Sequence, residues 1–149
     1  MAGPYHIGVL LKLTGYLSGP NEFNSDKRME NNSNLFNLSF LEETSEGDTG
    51  FVIQMVSLIL DEAPERLKSL GEAIQNRDFA IIKTSAHRLK NLVIPVQMER
   101  AKDLATSIEE CSYNAENLQL IVSYYAELKE IINAVLEPLR ERIEVLKQN

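Results

Sequence analysis

Cysteine is nearly absent from this 149-residue chain: Cys111 stands alone, so no internal disulfide can form. That is compatible with a reducing compartment. Cys111 falls at helical spacing from Leu104 and Ile108 and reads as a small buried thiol rather than a reactive one. No Cys/His pair has the spacing of zinc ligands, so no metal is expected. Basic residues are also short: 15 Lys and Arg against 22 Asp and Glu leave a formal charge of −7. A nucleic-acid-binding surface needs clustered Lys and Arg, so none is expected. Long apolar runs are missing too. A membrane span needs about 20 apolar residues, and the nearest approach, Ile7 to Leu17, is broken by Lys12 and Gly15. It lacks the basic flank and cleavage site of a signal peptide. No strand alternation and no internal repeat is present.

Helical periodicity is abundant from Leu35 onward. Residues 1–34 differ: glycines, prolines and the run Asn31-Asn32-Ser33-Asn34 leave no period. We read 1–34 as an irregular N-terminal extension, with Met29 as a natural start and residues 1–28 an added or alternative leader. Leu38 and Leu41 belong to a short first helix ending near Gly47, and Asp48-Thr49 is a start signal for the next. Val52, Val56, Ile59, Ala63, Leu67, Leu70 and Ile74 then recur at steps of three and four. Pro64 falls inside this run and predicts a kinked helix rather than two.

Asn76-Arg77-Asp78 reads as a turn, with Asp78 as N-cap of a helix that buries Phe79, Ile82, Ala86, Leu89 and Val93. Pro95 stops that helix and pushes Ile94 toward extended backbone. A further helix spans about Gln97 to Cys111, followed by a turn at Ser112-Tyr113-Asn114. The last helix starts near Ala115 and carries a heptad, Leu118, Tyr125, Ile132, Leu139 and Leu146, with Pro138 bending it or ending its regular part. The expected fold over residues 35–147 is all-α: an antiparallel four-helix bundle with a short extra N-terminal helix.

His87 is the only histidine in the periodic region, since His6 lies in the extension. On a helical wheel it lies about 120° from the centre of the core stripe, outside the core. Lys83 and Thr84 sit one turn before it, Lys90 and Asn91 one turn after, and Ala80 two turns before. An imidazole is substantially neutral at pH 7 and therefore nucleophilic. Ammonium and amide groups beside it, from Lys90, Lys83 and Asn91, suit the oxygens of a phosphoryl group. By spacing alone, an ordinary surface histidine among solvated lysines is the favoured reading. Glu109-Glu110 and Glu42-Glu43 read as solvated helix faces, and no nucleophile motif supports a hydrolytic enzyme.

The stretch Ala86-His87-Arg88-Leu89-Lys90, on the second long helix, resembles the A-H-x-L-K signature of histidine-containing phosphotransfer (HPt) domains. Leu38-Ser39-Phe40-Leu41-Glu42-Glu43 and Asp61-Glu62-Ala63-Pro64-Glu65-Arg66-Leu67 resemble the helices that precede it in that family. The resemblance implies that His87 is the phospho-accepting residue and that Lys90 stabilises the phosphoryl group. It implies a phosphorelay intermediate without kinase activity, metal or cofactor of its own. Its partners would be receiver domains of response regulators and of hybrid histidine kinases in the cytoplasm, and Ala80, Thr84 and Ile94 would help dock them. Many members have glycine after the lysine, which lets the partner approach closely. Asn91 stands there instead, and it either narrows the approach or adds an amide to the phosphoryl site. A bundle that binds receivers without transferring phosphate is the alternative.

Overall fold

The computed structural model describes residues 35–148, and every regular element among them is helical. The extension expected over residues 1–34 lies outside the described residues. Helix α1 (Ser39–Thr44) is short; α2 (Thr49–Gln75), α3 (Phe79–Val93), α4 (Glu99–Tyr113) and α5 (Leu118–Lys147) are long, and a 3-10 turn (Ile94–Val96) follows α3. The long helices pack in chain order, each on the next, and α5 closes back on α2.

Local chemistry explains the starts. The Asp48 carboxylate accepts the Phe51 N–H at 3.1 Å at the head of α2, and Asp78 accepts the Ile81 N–H at 3.2 Å at the head of α3. Each satisfies a donor that the first helical turn leaves unpaired. α2 runs through Pro64 as one helix, and α5 runs through Pro138. The core takes the expected stripes, including Val56, Leu70, Ile82, Leu89, Leu104, Ile108, Leu128 and Ile132. Leu38 and Leu41 of the first segment are buried with them. The Asn37 N–H donates to the Val96 carbonyl at 2.8 Å, tying that segment to the 3-10 turn.

Four boundaries differ from the sequence expectation. Ile94 is helical (φ −56°, ψ −48°), not extended, and opens the 3-10 turn. A proline early in a helical turn has no N–H to lose and carries a compatible φ, so Pro95 is tolerated there. α4 starts at Glu99 because Gln97 is left-handed (φ 51°), and it continues through Ser112 and Tyr113. Ser112, one turn beyond Ile108, therefore takes the buried place expected for Cys111, which is half-buried. The Ser112 hydroxyl is satisfied by donating to the Glu109 carbonyl at 2.7 Å. α5 starts at Leu118, because Ala115 (φ 52°) and Asn117 (φ 56°) are left-handed and no helix passes through them.

Two contacts set α5 against its neighbours. Arg100 of α4 donates to both carboxylate oxygens of the buried Glu127, at 2.8 and 2.9 Å. The Tyr125 hydroxyl donates to the Leu67 carbonyl of α2 at 3.1 Å. Gly71 makes the second approach possible: a Cβ there would meet the Tyr125 hydroxyl at 2.5 Å and ring carbon Cζ at 3.0 Å. Alanine favours a helix interior over glycine by about 1 kcal/mol, yet overpacking costs about 1–3 kcal/mol. Gly71→Ala is expected to lower the stability measured by urea unfolding. The same substitution in a Tyr125→Phe background should cost less, because the obstructing oxygen is gone. Equal costs in the two backgrounds would show that the hydroxyl is not the obstacle.

Candidate functional site

α3, with Ile94 just beyond its end, presents two faces. Ile82, Ala86, Leu89 and Val93 are buried, whereas Ala80, Thr84, His87, Asn91 and Ile94 are exposed. At 100° per residue these five fall within about 80° of one another, forming one stripe along the helix. The side chain of His87, near its middle, is 51% exposed.

The stripe is flanked by α4. His87 Nδ1 lies 2.9 Å from Glu109 Oε1, and Lys90 Nζ donates to Glu109 Oε2 at 2.8 Å. One carboxylate thus holds the histidine and the lysine of the sequence signature, one on each oxygen. One turn earlier on α3, Lys83 Nζ sits 3.6 Å from the centroid of the Tyr113 ring, a cation–π contact near the end of α4. Since Lys83 meets residue 113 and His87 meets residue 109, α3 and α4 run in opposite directions here.

Burial alone pushes the Glu109 carboxyl up, but hydrogen bonds and charge from Lys90 and His87 outweigh it, so the group lies below its ordinary value. It is ionised at neutral pH and can only accept hydrogen bonds. A neutral His87 facing it must therefore carry its proton on Nδ1. The free lone pair is left on Nε2, the ring atom away from Glu109. The Lys90 ammonium has three N–H groups and uses one on Glu109. What remains is a nucleophilic nitrogen beside spare cationic donors.

The structure gathers His87 and Lys90 around Glu109, and it sets Ala80, Thr84, Asn91 and Ile94 along the same stripe. Among the described residues, Asn91 makes no side-chain hydrogen bond, while the Thr84 hydroxyl donates to the Ala80 carbonyl at 3.0 Å. Lys83 does not join the Glu109 group and is engaged by Tyr113. Glu109 is the residue that sequence reasoning missed. It read as a solvated face, yet its side chain is only 16% exposed. Its position one residue after the buried Ile108 was the one available hint. Burial, with the Glu110 charge, pushes the Cys111 thiol up, away from a reactive thiolate. No cluster of three or more metal-ligating side chains occurs among the described residues, and no helix among them is long and apolar enough to cross a membrane.

The family model described as Hpt domain matches residues 54–138, more than half of the chain. The chain belongs to the Hpt domain family. No curated protein and no solved structure matches it. The Hpt family works in histidine-containing phosphotransfer in two-component signalling, and the matched span contains α3, α4 and the whole His87–Glu109–Lys90 group.

The depressed Glu109 carboxyl has a pH consequence. Its stabilising contribution is fully present above the unfolded carboxylate value of about 4.3 and is lost as pH falls through the lower folded value. The gap in unfolding free energy between the wild type and Glu109→Gln should therefore be wide at neutral pH and close in acid below the carboxylate range. A gap that stays constant across that range would show that the partners do not hold the carboxylate.

Proposed function

We propose that this Hpt domain is a phosphorelay intermediate. His87 accepts a phosphoryl group from the aspartyl phosphate of one receiver domain and passes it to the aspartate of another. The observation that carries the reading is the shared grip of Glu109 on His87 Nδ1 and Lys90 Nζ. It is supported by the exposure of the ring in a chain of the Hpt family.

The chemistry follows from the geometry. Nε2 attacks phosphorus, a nitrogen–phosphorus bond forms, and the bond from phosphorus to the aspartyl oxygen breaks, releasing a carboxylate. The ring retains its Nδ1 proton and becomes cationic, so Glu109 stabilises the charge that develops. Lys90 turns its remaining N–H groups to the phosphoryl oxygens. Asn91, exposed beside it, offers an amide, and Lys83 adds a further charge if it leaves the Tyr113 ring. Transfer onward is the reverse displacement by a second aspartate. Ala80, Thr84 and Ile94, on the stripe about His87, form the docking face. Ile94 is 45% exposed, which suits apolar contact with a partner. The partners are receiver domains of response regulators and of hybrid histidine kinases, and we assign the domain to the cytoplasm with them.

Asn91 favours a second reading. It stands on the docking stripe where many family members keep glycine, and a bundle that binds receivers without accepting phosphate would tolerate it.

Mixing the protein with phosphorylated receiver domains of its source organism distinguishes the two. Transfer yields acid-labile phosphate on the chain, which His87→Gln abolishes. Lys90→Ala should slow labelling roughly tenfold, the scale of one lost charge-assisted hydrogen bond, without changing the helical circular dichroism. Receiver binding that persists in His87→Ala, with no labelling by any receiver, establishes the second reading.

A further inference from the structure

On the side of α3 away from Glu109, the helix faces α2 across a cleft of about 220 Å³. Arg66 and Ser69 of α2 and Ser85 and Arg88 of α3 line it. Pockets for organic ligands run to about 300–1,000 Å³, so the space suits a small group. Its chemistry is one-sided: two guanidinium groups, two hydroxyls and no carboxylate in the lining. The chain as a whole has 22 acidic residues to 15 basic ones. Two arginines meeting across one cleft therefore run against the overall balance.

The donors are also available. Arg66 is anchored from one side, where Glu62 Oε2 accepts its Nε at 2.7 Å and also its Nη2. This leaves Nη1 outside that pair and orients the guanidinium. Arg88 is exposed and makes no ion pair or hydrogen bond among the described residues, and the Ser85 hydroxyl likewise has no partner among them. The Ser69 hydroxyl donates to the Glu65 carbonyl at 3.1 Å and completes the polar wall. Planar N–H forks from two directions, with a hydroxyl between them, match an oxyanion that accepts several hydrogen bonds at once. Arg88 lies about 100° round the helix from His87, so the cleft borders the reactive stripe without including it.

We propose that the Arg66–Ser69–Ser85–Arg88 cleft binds a phosphate-class oxyanion, either inorganic phosphate or the phosphate of a small monoester. Arg88 offsets its charge, and Arg66 Nη1 and Ser85 donate to further oxygens. The site does not depend on phosphotransfer at His87.

The test is a nitrogen-15 NMR titration of the full chain with sodium phosphate against sodium chloride at matched ionic strength. Saturable shifts at the Ser85 and Arg88 amides with phosphate alone are expected. Arg88→Gln should weaken the binding about tenfold, Ser85→Ala should weaken it less, and His87→Gln should leave it unchanged. Glycerol 3-phosphate separates the sources: tighter binding than phosphate identifies a monoester, and equal or weaker binding identifies the free ion. Shifts that do not saturate, or that chloride reproduces, overturn the proposal. So does binding that survives both Arg88→Gln and Ser85→Ala, or that His87→Gln abolishes, since the anion would then lie elsewhere. Both substitutions in the cleft leave the apolar core untouched, and circular dichroism checks that the bundle is retained.

Discussion

The packing of α4 against α3 governs what the exposed histidine can do. Ala86 of α3 and Ala101 and Ala105 of α4 are fully buried. Such small side chains let helix backbones approach closely. At that approach, in an antiparallel register, the turn carrying Glu109 stands level with the turn from His87 to Lys90. A shift of one residue in register would carry Glu109 about 100° round its helix axis relative to its neighbours and break both contacts. The apolar seam thus does more than stabilise the bundle: it chooses the proton position on the imidazole by choosing which group faces Nδ1.

The rest of the bundle holds that register. Arg100 and the buried Glu127 tie α4 to α5 through two parallel hydrogen bonds, a geometry with little slack. Tyr125 and the bare backbone at Gly71 tie α5 to α2. α2 in turn packs on α3 and closes the ring of helices. These polar contacts sit at the edges of the core, where they specify alignment. The buried leucines, isoleucines and valines provide most of the burial, but they are less discriminating between registers because apolar contact is not directional.

α3 then offers different chemistry on each flank. Toward α4 it meets a carboxylate that aligns the imidazole and an ammonium group. Toward α2 its own Arg88 and Ser85 meet a second guanidinium and a second hydroxyl. The exposed stripe with His87 runs between them. A side chain's role here depends on which neighbouring helix it faces, and residues adjacent in sequence, such as His87 and Arg88, serve different surroundings.

Much of this was legible in the chain itself. The steps of three and four identified the four long helices and nearly all of the core, because amphipathic period and burial are the same fact seen twice. The wheel placed His87 outside the core for the same reason. The Asp48 and Asp78 caps are local, acting within one turn, and so they too could be read. The left-handed residues Gln97, Ala115 and Asn117 were not legible, because nothing at Gln97 or Ala115 marks an intrinsic preference for that conformation; the packing imposes it. Cys111 and Ser112 exchanged places in the core once α4 proved longer than its apolar pattern. Glu109 is the clearest case: it is 22 residues from His87, and no local pattern links them. Sequence by itself determined the helices, their buried faces and the exposure of one histidine, since these follow from short-range periodicity. Only the tertiary structure decided that Glu109 would hold His87 and Lys90 together, that Tyr113 would engage Lys83, and that Arg66 would face Arg88, because each depends on the register between separate helices.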